Sequence, residues 1–308
     1  EYLYYSAFLN HRVGQMPQIF PKIDVENRLI WTTGQGANMA FTPFISTVIP
    51  DLQGPGKIQC FPLYLYDPAG TSTPLSDRED MFSESQGKDK KVAERSRSHR
   101  RDAITDAGLK HFTDAYPGEK ISKEDLFYYV YGLLHSPEYR QKYADNLSKE
   151  LPRIPRVKSA KDFWAFSKAG RALGELHVNY ENQKKYGLKH ITKTTLKDAH
   201  YRVEKMKYNA DKTAIIYNAH LTLEGIPPAA HDYIVNGKSA LDWVVERYCV
   251  KTDKDSGIVN DANAWALETE KNPRYIVELI ERIVTVSLET MKIVNGLPKL
   301  SIVEGAKT

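Results

Sequence analysis

The chain has 308 residues, which is enough for one large domain or two ordinary ones with a hydrophobic core. Hydrophobic residues make up 41% of it, charged residues make up 27%, and no run approaches the ~18 apolar residues of a membrane span, so we expect a cytoplasmic protein without a membrane partner. The net charge is only +4, and two cysteines, Cys60 and Cys249, are too few for a disulfide framework or a cysteine metal cluster.

The N-terminal part is predicted to be strand-rich. Its first residues, EYLYYSAFLNHR, lack the features of a signal peptide and an initiator Met, so we expect a fragment of a longer chain. Residues 28–34 and 57–67 are rich in β-branched and aromatic residues bounded by Gly or Pro, which predicts strands. Residues 68–103 are polar, which predicts an exposed, mobile loop.

Helices are predicted to follow. Ser122 is a candidate N-cap with Asp125 three residues on, a variant of the capping box. Apolar residues then recur at helical spacing at Leu126, Val130, Leu133 and Leu134. Ser136 followed by Pro137 predicts that this helix stops and a second one starts. One face of the second helix carries Tyr139, Tyr143 and Leu147.

Two prolines separate these helices from a third. Pro152 and Pro155 exclude helix and predict an extended path. Ser159 then caps the third helix, whose inward-facing residues are Phe163, Phe166, Leu173 and Leu176. Strands are predicted to return at residues 201–208 and 214–225.

The C-terminal part ends in a long helix. Asn236-Gly237 is a turn signal, and Ser239 opens a helix. The last helix is predicted from Asn272-Pro273 to Gly296. Its buried face would carry Ile276, Ile280, Val284, Leu288 and Met291.

These elements predict an α+β fold with a helical central section. We divide the chain into a strand-rich part with a basic loop, residues 1–115, and a helical plus α+β part, residues 116–308. No complete catalytic constellation occurs in either part. Glu175, His177 and Glu181 lie close together, but no second His follows one helical turn away, which disfavours a metal site. We therefore assign no catalytic, cofactor-binding or metal-binding residue.

Positive charge is concentrated in one block. Residues 140–208 contain 17 Lys and Arg against 7 Asp and Glu, whereas the blocks on either side are each net negative. A local surplus of this kind favours a polyanionic partner more than a high overall pI does.

Three segments supply candidate DNA contacts, each with a purely structural alternative. The first, residues 88–101, carries Lys88, Lys90, Lys91, Arg95, Arg97, Arg100 and Arg101, although a charge run is often only a solvated face. The second, PRIPR at 152–156, displays Arg153 and Arg156 on a proline-stiffened backbone that can equally be a connector. The third, residues 184–202, carries Lys184, Lys185, Lys189, Lys193, Lys197 and Arg202 and can also be an exposed face.

Longer stretches resemble a known family. DLFYYVYGLLHSPEYRQKYADNLSKELPRIP at 125–155 resembles the C-terminal region of type ISP restriction-modification enzymes. So do GKIQCFPLYLYD at 56–67, the segment at 226–263 that begins IPPAAHDYIVNGKSALDWVVERY, and VSLETMKIVNGLP at 286–298. The resemblance covers nearly the whole chain in the same order.

The resemblance implies a parent polypeptide with a nuclease, an ATP-driven DNA translocase, an adenine-N6 methyltransferase and a target-recognition part. Residues 1–308 would then be the target-recognition part; an alternative assignment gives their start to the end of the methyltransferase. S-adenosylmethionine, ATP and Mg²⁺ are expected for the parent and no cofactor for this part. The expected partners are double-stranded DNA and the other domains of the parent.

Three hypotheses stay open at this point. The first is sequence-specific recognition of double-stranded DNA. The second is a protein-interaction or coupling module, whose basic face meets acidic surfaces of partner domains without direct base readout. The third is a free-standing enzyme whose site the sequence does not reveal.

Overall fold

The computed structural model describes residues 16–22, 25–33, 40–50, 58–67 and 99–303, and within these ranges the fold is α+β, as the sequence predicts. A short helix, α1 (Met16–Ile19), precedes a three-stranded antiparallel sheet. Its central strand β1 (Leu29–Thr33) pairs with β2 (Pro43–Ser46) and with β3 (Ile58–Pro62). The strand predicted at 28–34 is thereby confirmed.

The predicted strand at 57–67 is divided between two sheets. Its second half, β4 (Tyr64–Asp67), pairs with β5 (His99–Asp102). Leu63 lies between the halves, and its N–H donates to the carbonyl of Arg28 at 2.8 Å. The loop predicted for 68–103 is therefore wrong at its end, because residues 99–102 form a strand whose partner is distant in sequence; residues 68–98 lie outside the described residues.

The central section is helical. Its helices are α2 (Asp106–Thr113), α3 (Lys123–Leu134), α4 (Pro137–Lys142), α5 (Ala144–Leu147) and α6 (Ala160–Val178). The predicted N-caps Ser122, Ser136 and Ser159 each accept a hydrogen bond from a backbone N–H three residues on. The single second helix was wrong, because Tyr143, with φ −108° and ψ 17°, leaves the helical region and separates α4 from α5.

Helices α3 and α6 cross at unusually short range. A Cβ added at Gly170 would lie 1.8 Å from the carbonyl oxygen of Tyr128, and one added at Gly132 would lie 2.1 Å from that of Phe166. Glycine at both positions lets the two backbones touch. The extended segment at 151–156 then packs along this pair, and the Tyr129 hydroxyl donates to the carbonyl of Pro155 at 2.7 Å.

The C-terminal section is built on a four-stranded antiparallel sheet in the order β6-β9-β8-β7. These strands are β6 (Lys189–Thr192), β7 (Lys207–Tyr208), β8 (Ala214–Ile216) and β9 (Leu221–Glu224). Around them lie the hairpins β10 (Ile234–Val235) with β11 (Lys238–Ser239) and β12 (Lys251–Thr252) with β13 (Val259–Asn260), and the helices α7 (Ala240–Arg247), α8 (Ala262–Glu268) and α9 (Tyr275–Asn295). Short 3₁₀ helices span Tyr180–Asn182, Asp198–Tyr201 and Pro228–His231.

Three C-terminal predictions need correction. The predicted strand at 214–225 is two strands, β8 and β9, because the Asn218 side chain accepts from the N–H groups of His220 and Leu221 and holds a turn between them. The predicted strand at 201–208 is strand only at 207–208, because the side-chain amide of Asn263 bonds both the N–H (2.9 Å) and the carbonyl (2.8 Å) of Val203. The last helix begins at Tyr275 instead of Asn272, because the Asn272 side chain accepts from the N–H of Arg274 and holds the preceding turn. The turn at Asn236-Gly237 is confirmed, with φ values of 49° and 83°.

Buried hydrophobic side chains form two clusters. The first runs from Ile30 to Leu173 and includes Val294; the second runs from Leu188 to Val284. Helix α9 therefore contributes to both. Phe112 and Tyr116 lie in the first cluster on either side of the predicted division at 115/116, which stays a prediction. Both Cys60 and Cys249 are free thiols, and none of the described helices is long and apolar enough to cross a membrane.

Candidate nucleic-acid interface

The basic segment that contains β6 is anchored on helix α9. The N–H of Tyr186 donates to the backbone carbonyl of Glu281 at 3.1 Å, and Nε2 of His190 lies 3.0 Å from Oε1 of the same residue. Nζ of Lys185 lies 3.2 Å from Oε1 of Glu278, one turn earlier on the helix. These contacts fix the position of the segment, so its remaining lysines are presented from an ordered strand and its flanks.

Four of the predicted contacts remain available on this segment. The side chains of Lys184, Lys189, Lys193 and Lys197 are exposed, and none has a hydrogen-bonding or ionic partner among the described residues. An ammonium group without a partner can contact a phosphate without breaking an existing ion pair.

Two other predicted contacts in the segment are already paired. Lys185 joins Glu278, and although burial acts to raise the pKa of Glu278, Lys185 and Arg282 lower it below its ordinary value. Arg202 bridges Asp261 at 2.9 Å and Glu204 at 2.7 Å, and the hydrogen bond to Asp261 is the largest of the contributions that raise the pKa of Arg202. These two side chains stabilise the fold around the segment.

The arginines of the proline-rich connector have structural contacts. Arg153 pairs with Glu150 at 2.8 Å, and its backbone carbonyl accepts from the Tyr139 hydroxyl at 2.7 Å. Nη1 of Arg156 donates to the carbonyl of His111 in α2 at 2.8 Å. These contacts favour the alternative in which the segment is a structural connector.

The first candidate segment is described only at its end. Arg100 and Arg101 lie on β5, and the guanidinium carbon of Arg100 lies 4.3 Å from the centre of the Tyr64 ring. Arg101 is exposed and lies opposite Leu65 in the strand register. The remaining candidates, Lys88, Lys90, Lys91, Arg95 and Arg97, lie outside the described residues.

Two basic residues at the far edge of the four-stranded sheet were not predicted from the sequence. Lys205 and Lys207 are exposed and have no ionic partner in the part of the chain that the structure describes. In EKMKY the two lysines flank the buried Met206, so exposed and buried residues alternate as in a strand. This alternation is the sequence signal that could have identified both lysines as exposed.

The acidic and histidine side chains near the end of α6 are used internally. Nδ1 of His177 lies 2.7 Å from the Tyr131 hydroxyl and Nε2 lies 2.9 Å from the Thr290 hydroxyl. Glu175 pairs with Arg28 at 2.6 Å, and Glu181 accepts from the Tyr275 hydroxyl at 2.6 Å. Within the described ranges no group of His, Cys, Asp and Glu side chains is arranged to hold a metal ion.

Comparison with known proteins identifies the family. The sequence model of the type ISP C-terminal specificity domain matches residues 1–279. The chain belongs to this family. The resemblance seen in the sequence is thereby confirmed. A search among curated proteins finds no match.

Solved structures of two type ISP enzymes and of a third protein–DNA complex share the fold. The ATP-dependent type ISP restriction-modification enzyme LlaBIII bound to DNA is 33% identical with a TM-score of 0.77, over 98% of this chain and 18% of that one. A nuclease-deletion mutant of the type ISP enzyme LlaGI, in complex with a DNA substrate mimic, is 35% identical with a TM-score of 0.72, over 98% and 24%. The DrdV–DNA complex is 32% identical with a TM-score of 0.74, over 97% and 27%. The chain thus spans between about a fifth and a quarter of these proteins.

Proposed function

We propose that this specificity domain binds a specific sequence of double-stranded DNA and is the target-recognition part of a type ISP restriction-modification enzyme. The observation that carries the proposal is the anchored basic segment on α9, whose four unpaired lysines face solvent. Because lysine contacts to phosphate hold register without reading sequence, these side chains would position the domain on the duplex. The solved relatives are complexes with DNA, which supports the same partner here.

The activities of the parent are part of the proposal. The parent would carry an adenine-N6 methyltransferase, an ATP-driven translocase and a nuclease, act in the cytoplasm, and use S-adenosylmethionine, ATP and Mg²⁺. Methylation needs the target adenine outside the base stack, so recognition by this domain would place that base at the methyltransferase. We assign no catalytic role to any residue of the domain.

A binding selection tests the proposal. The chain is incubated with a random duplex pool at two salt concentrations, and the retained DNA is sequenced. About six phosphate contacts predict a slope near −5 for the logarithm of the binding constant against the logarithm of salt concentration. Retention at low salt with enrichment of one asymmetric motif is the expected result. No retention at either concentration would favour the coupling module, in which the basic face meets other protein domains.

A matched pair of triple variants separates this surface from charge in general. Replacing Lys189, Lys193 and Lys197 by Gln should reduce the magnitude of the salt slope by about 3. The control replaces the exposed lysines Lys120, Lys142 and Lys149 by Gln, which changes the net charge equally but lies on the helical section. An equal change of slope in both variants would contradict the assignment of the DNA contacts to the segment around β6.

A further inference from the structure

The outer face of the four-stranded sheet carries a row of side chains that the core does not use. Strand register places Ile191 of β6 opposite Thr222 of β9, Thr222 opposite Ile216 of β8, and Ile216 opposite Lys207 of β7. Directly opposed residues of antiparallel strands point to the same face of a sheet. The four side chains therefore form one line across all four strands.

Burial shows which face this line occupies. Ile215 and Leu223, which alternate with the residues of the row, are both 0% exposed and belong to the second hydrophobic cluster. Ile191 and Ile216 are 38% and 37% exposed. His190, the neighbour of Ile191, reaches Glu281 on the opposite side. Because successive side chains alternate between faces, the row lies on the side of the sheet turned away from helix α9.

Lysines border the row. Lys189 is the first residue of β6 and Lys193 follows its last residue, where the N–H of Lys193 donates to the carbonyl of His220. Both ammonium groups are without a partner among the described residues, as is that of Lys207. Glu224, opposite Lys189 in the register, is the one acidic residue that the described strands place on this face. The surface thus combines two aliphatic side chains, a hydroxyl and a positive border.

The dimensions of this surface match those of a DNA groove. β6 is an edge strand, so β6 and β9 form a two-stranded ribbon, the kind of element that fits the major groove. Its two strands lie about 5 Å apart, well within the groove width of about 12 Å, and the extended chain from Lys189 to Lys193 would run about 13 Å along a groove that holds the ribbon. A ribbon that enters there would bring its outward side chains to the base edges while each lysine reaches a phosphate.

We propose that Ile191 and Thr222 read base edges in the major groove of bound DNA, and that Lys189 and Lys193 contact phosphates along the border of that groove next to β6. This inference rests on the proposed DNA binding and assigns the reading of sequence within it. The Thr222 hydroxyl can donate to or accept from a base edge, and the Ile191 methyl groups can contact the C5-methyl of thymine. Glu224 is placed to accept from the N4 amino group of a cytosine.

A specificity experiment tests this assignment. The 308-residue chain is compared with a double variant, Ile191→Ala with Thr222→Val, by selection from the random duplex pool and by titration of the selected duplex and an unrelated one. Both side chains lie on the solvent side, so the variant is expected to fold, and the single variant Thr222→Val repeats the test with a smaller change. We expect the preference at one or two base pairs to fall about ten-fold or more, while binding of the unrelated duplex and its salt slope stay unchanged.

The hairpin β12–β13 provides a matched control. There Thr252 lies opposite Val259, also a cross-strand pair of a threonine and a β-branched aliphatic residue, with both side chains exposed. Thr252→Val with Val259→Ala should leave the selected motif unchanged. The inference is overturned if the first variant keeps the motif at every position, if it weakens all duplexes equally, or if the control loses the motif as well. DNA retention without any motif in the unmodified chain would overturn the reading role alone, whereas absence of retention would overturn the proposed function.

Discussion

The helix pair α3–α6 and the sheet β6–β9 use their polar side chains in opposite ways. In the helix pair, hydroxyl and imidazole groups are turned inward and bonded, as between Tyr131 and His177, whose ring also bonds Thr290 on α9. In the sheet, helix α9 holds the strand through Lys185 and His190, and the neighbouring lysines are left without partners among the described residues. In the helix pair the polar groups stabilise the fold, whereas in the sheet they are accessible to a partner.

This difference separates substitutions that should affect stability from those that should affect binding. A change in the helix pair removes the partner of a polar group that water cannot reach. An unsatisfied buried polar group is a common cause of a large loss of stability. A change of an unpaired surface lysine removes nothing that the fold uses. The following predictions test this separation, beginning with the largest expected effect.

Gly170→Ala should disrupt the helix pair. The added Cβ would lie 1.8 Å from the carbonyl oxygen of Tyr128, a backbone atom that cannot turn aside, so α3 and α6 must separate. We expect a loss of at least about 3 kcal/mol in the free energy of unfolding, measured by urea denaturation. Gly174→Ala, where the nearest atom is a side-chain carbon of Tyr128 at 3.1 Å, should cost less.

Gly187→Ala is the control in the basic segment, because no heavy atom lies within 4 Å of its added Cβ. It should change the free energy of unfolding by less than about 0.5 kcal/mol, or raise it slightly by restricting the unfolded chain. Equal stability of the Gly170→Ala and Gly187→Ala proteins would refute the close crossing of the two helices.

Lowering the pH from 7 to 5 should destabilise the helix pair through the buried His135 and the half-buried His177. Burial lowers the pKa of His177 from its ordinary 6.5 to about 4, and burial lowers the pKa of His135 well below its ordinary value. The unfolded chain takes up a proton on His177 below pH 6.5, whereas the folded chain does so only below about pH 4. The stabilising contribution is therefore complete above pH 6.5 and is lost as the pH falls from 6.5 towards 4.

For His177 alone the loss between pH 7 and pH 5 is about 2 kcal/mol, which urea denaturation at fixed ionic strength would measure. Most unfolded carboxylates remain ionised at pH 5, so this window isolates the histidines. In the His177→Gln protein the stability at pH 7 should be lower, but the further loss on going to pH 5 should be smaller. A loss of the same size in both proteins would assign the pH dependence to other groups.

Local signals in the sequence were read correctly because their physical cause is local. Each of the N-caps Ser122, Ser136, Ser159 and Ser239 bonds a backbone N–H only three residues away, so the residue types and their spacing are sufficient. The Asn236-Gly237 turn is equally self-contained, since both residues adopt the positive φ that few other residue types tolerate.

The errors at residues 99–102 and 201–206 arose where a distant partner decides the structure. Residues 99–102 become a strand only because β4 lies beside them, and residues 201–206 lose strand structure because Asn263, 60 residues away from Val203, bonds that backbone. The same limit applied to the candidate site. Charge identified the basic segment, but Lys185 and Arg202 are paired with Glu278 and Asp261, which are 93 and 59 residues distant. Composition cannot distinguish a paired cation from a free one.

Arg156 and Lys193, both first selected as candidate DNA contacts, should show the smallest but most selective effects. Nη1 of Arg156 donates to the carbonyl of His111, so Arg156→Ala should cost about 1 kcal/mol in the free energy of unfolding and leave the salt slope of DNA binding unchanged. Lys193→Ala should change stability by less than about 0.5 kcal/mol and reduce the magnitude of the salt slope by about 1, because its ammonium group has no partner among the described residues.

Arg156→Lys adds a control that keeps the charge at the connector but removes the planar fork. It should lose part of the stability that Arg156→Ala loses, since a lysine has to reach the His111 carbonyl with a single ammonium group. Its salt slope should equal that of the unmodified chain. If Arg156→Ala instead reduced the magnitude of the salt slope and Arg156→Lys restored it, the connector would belong to the DNA-binding surface. The helical section would then contribute to DNA binding as well as to stability.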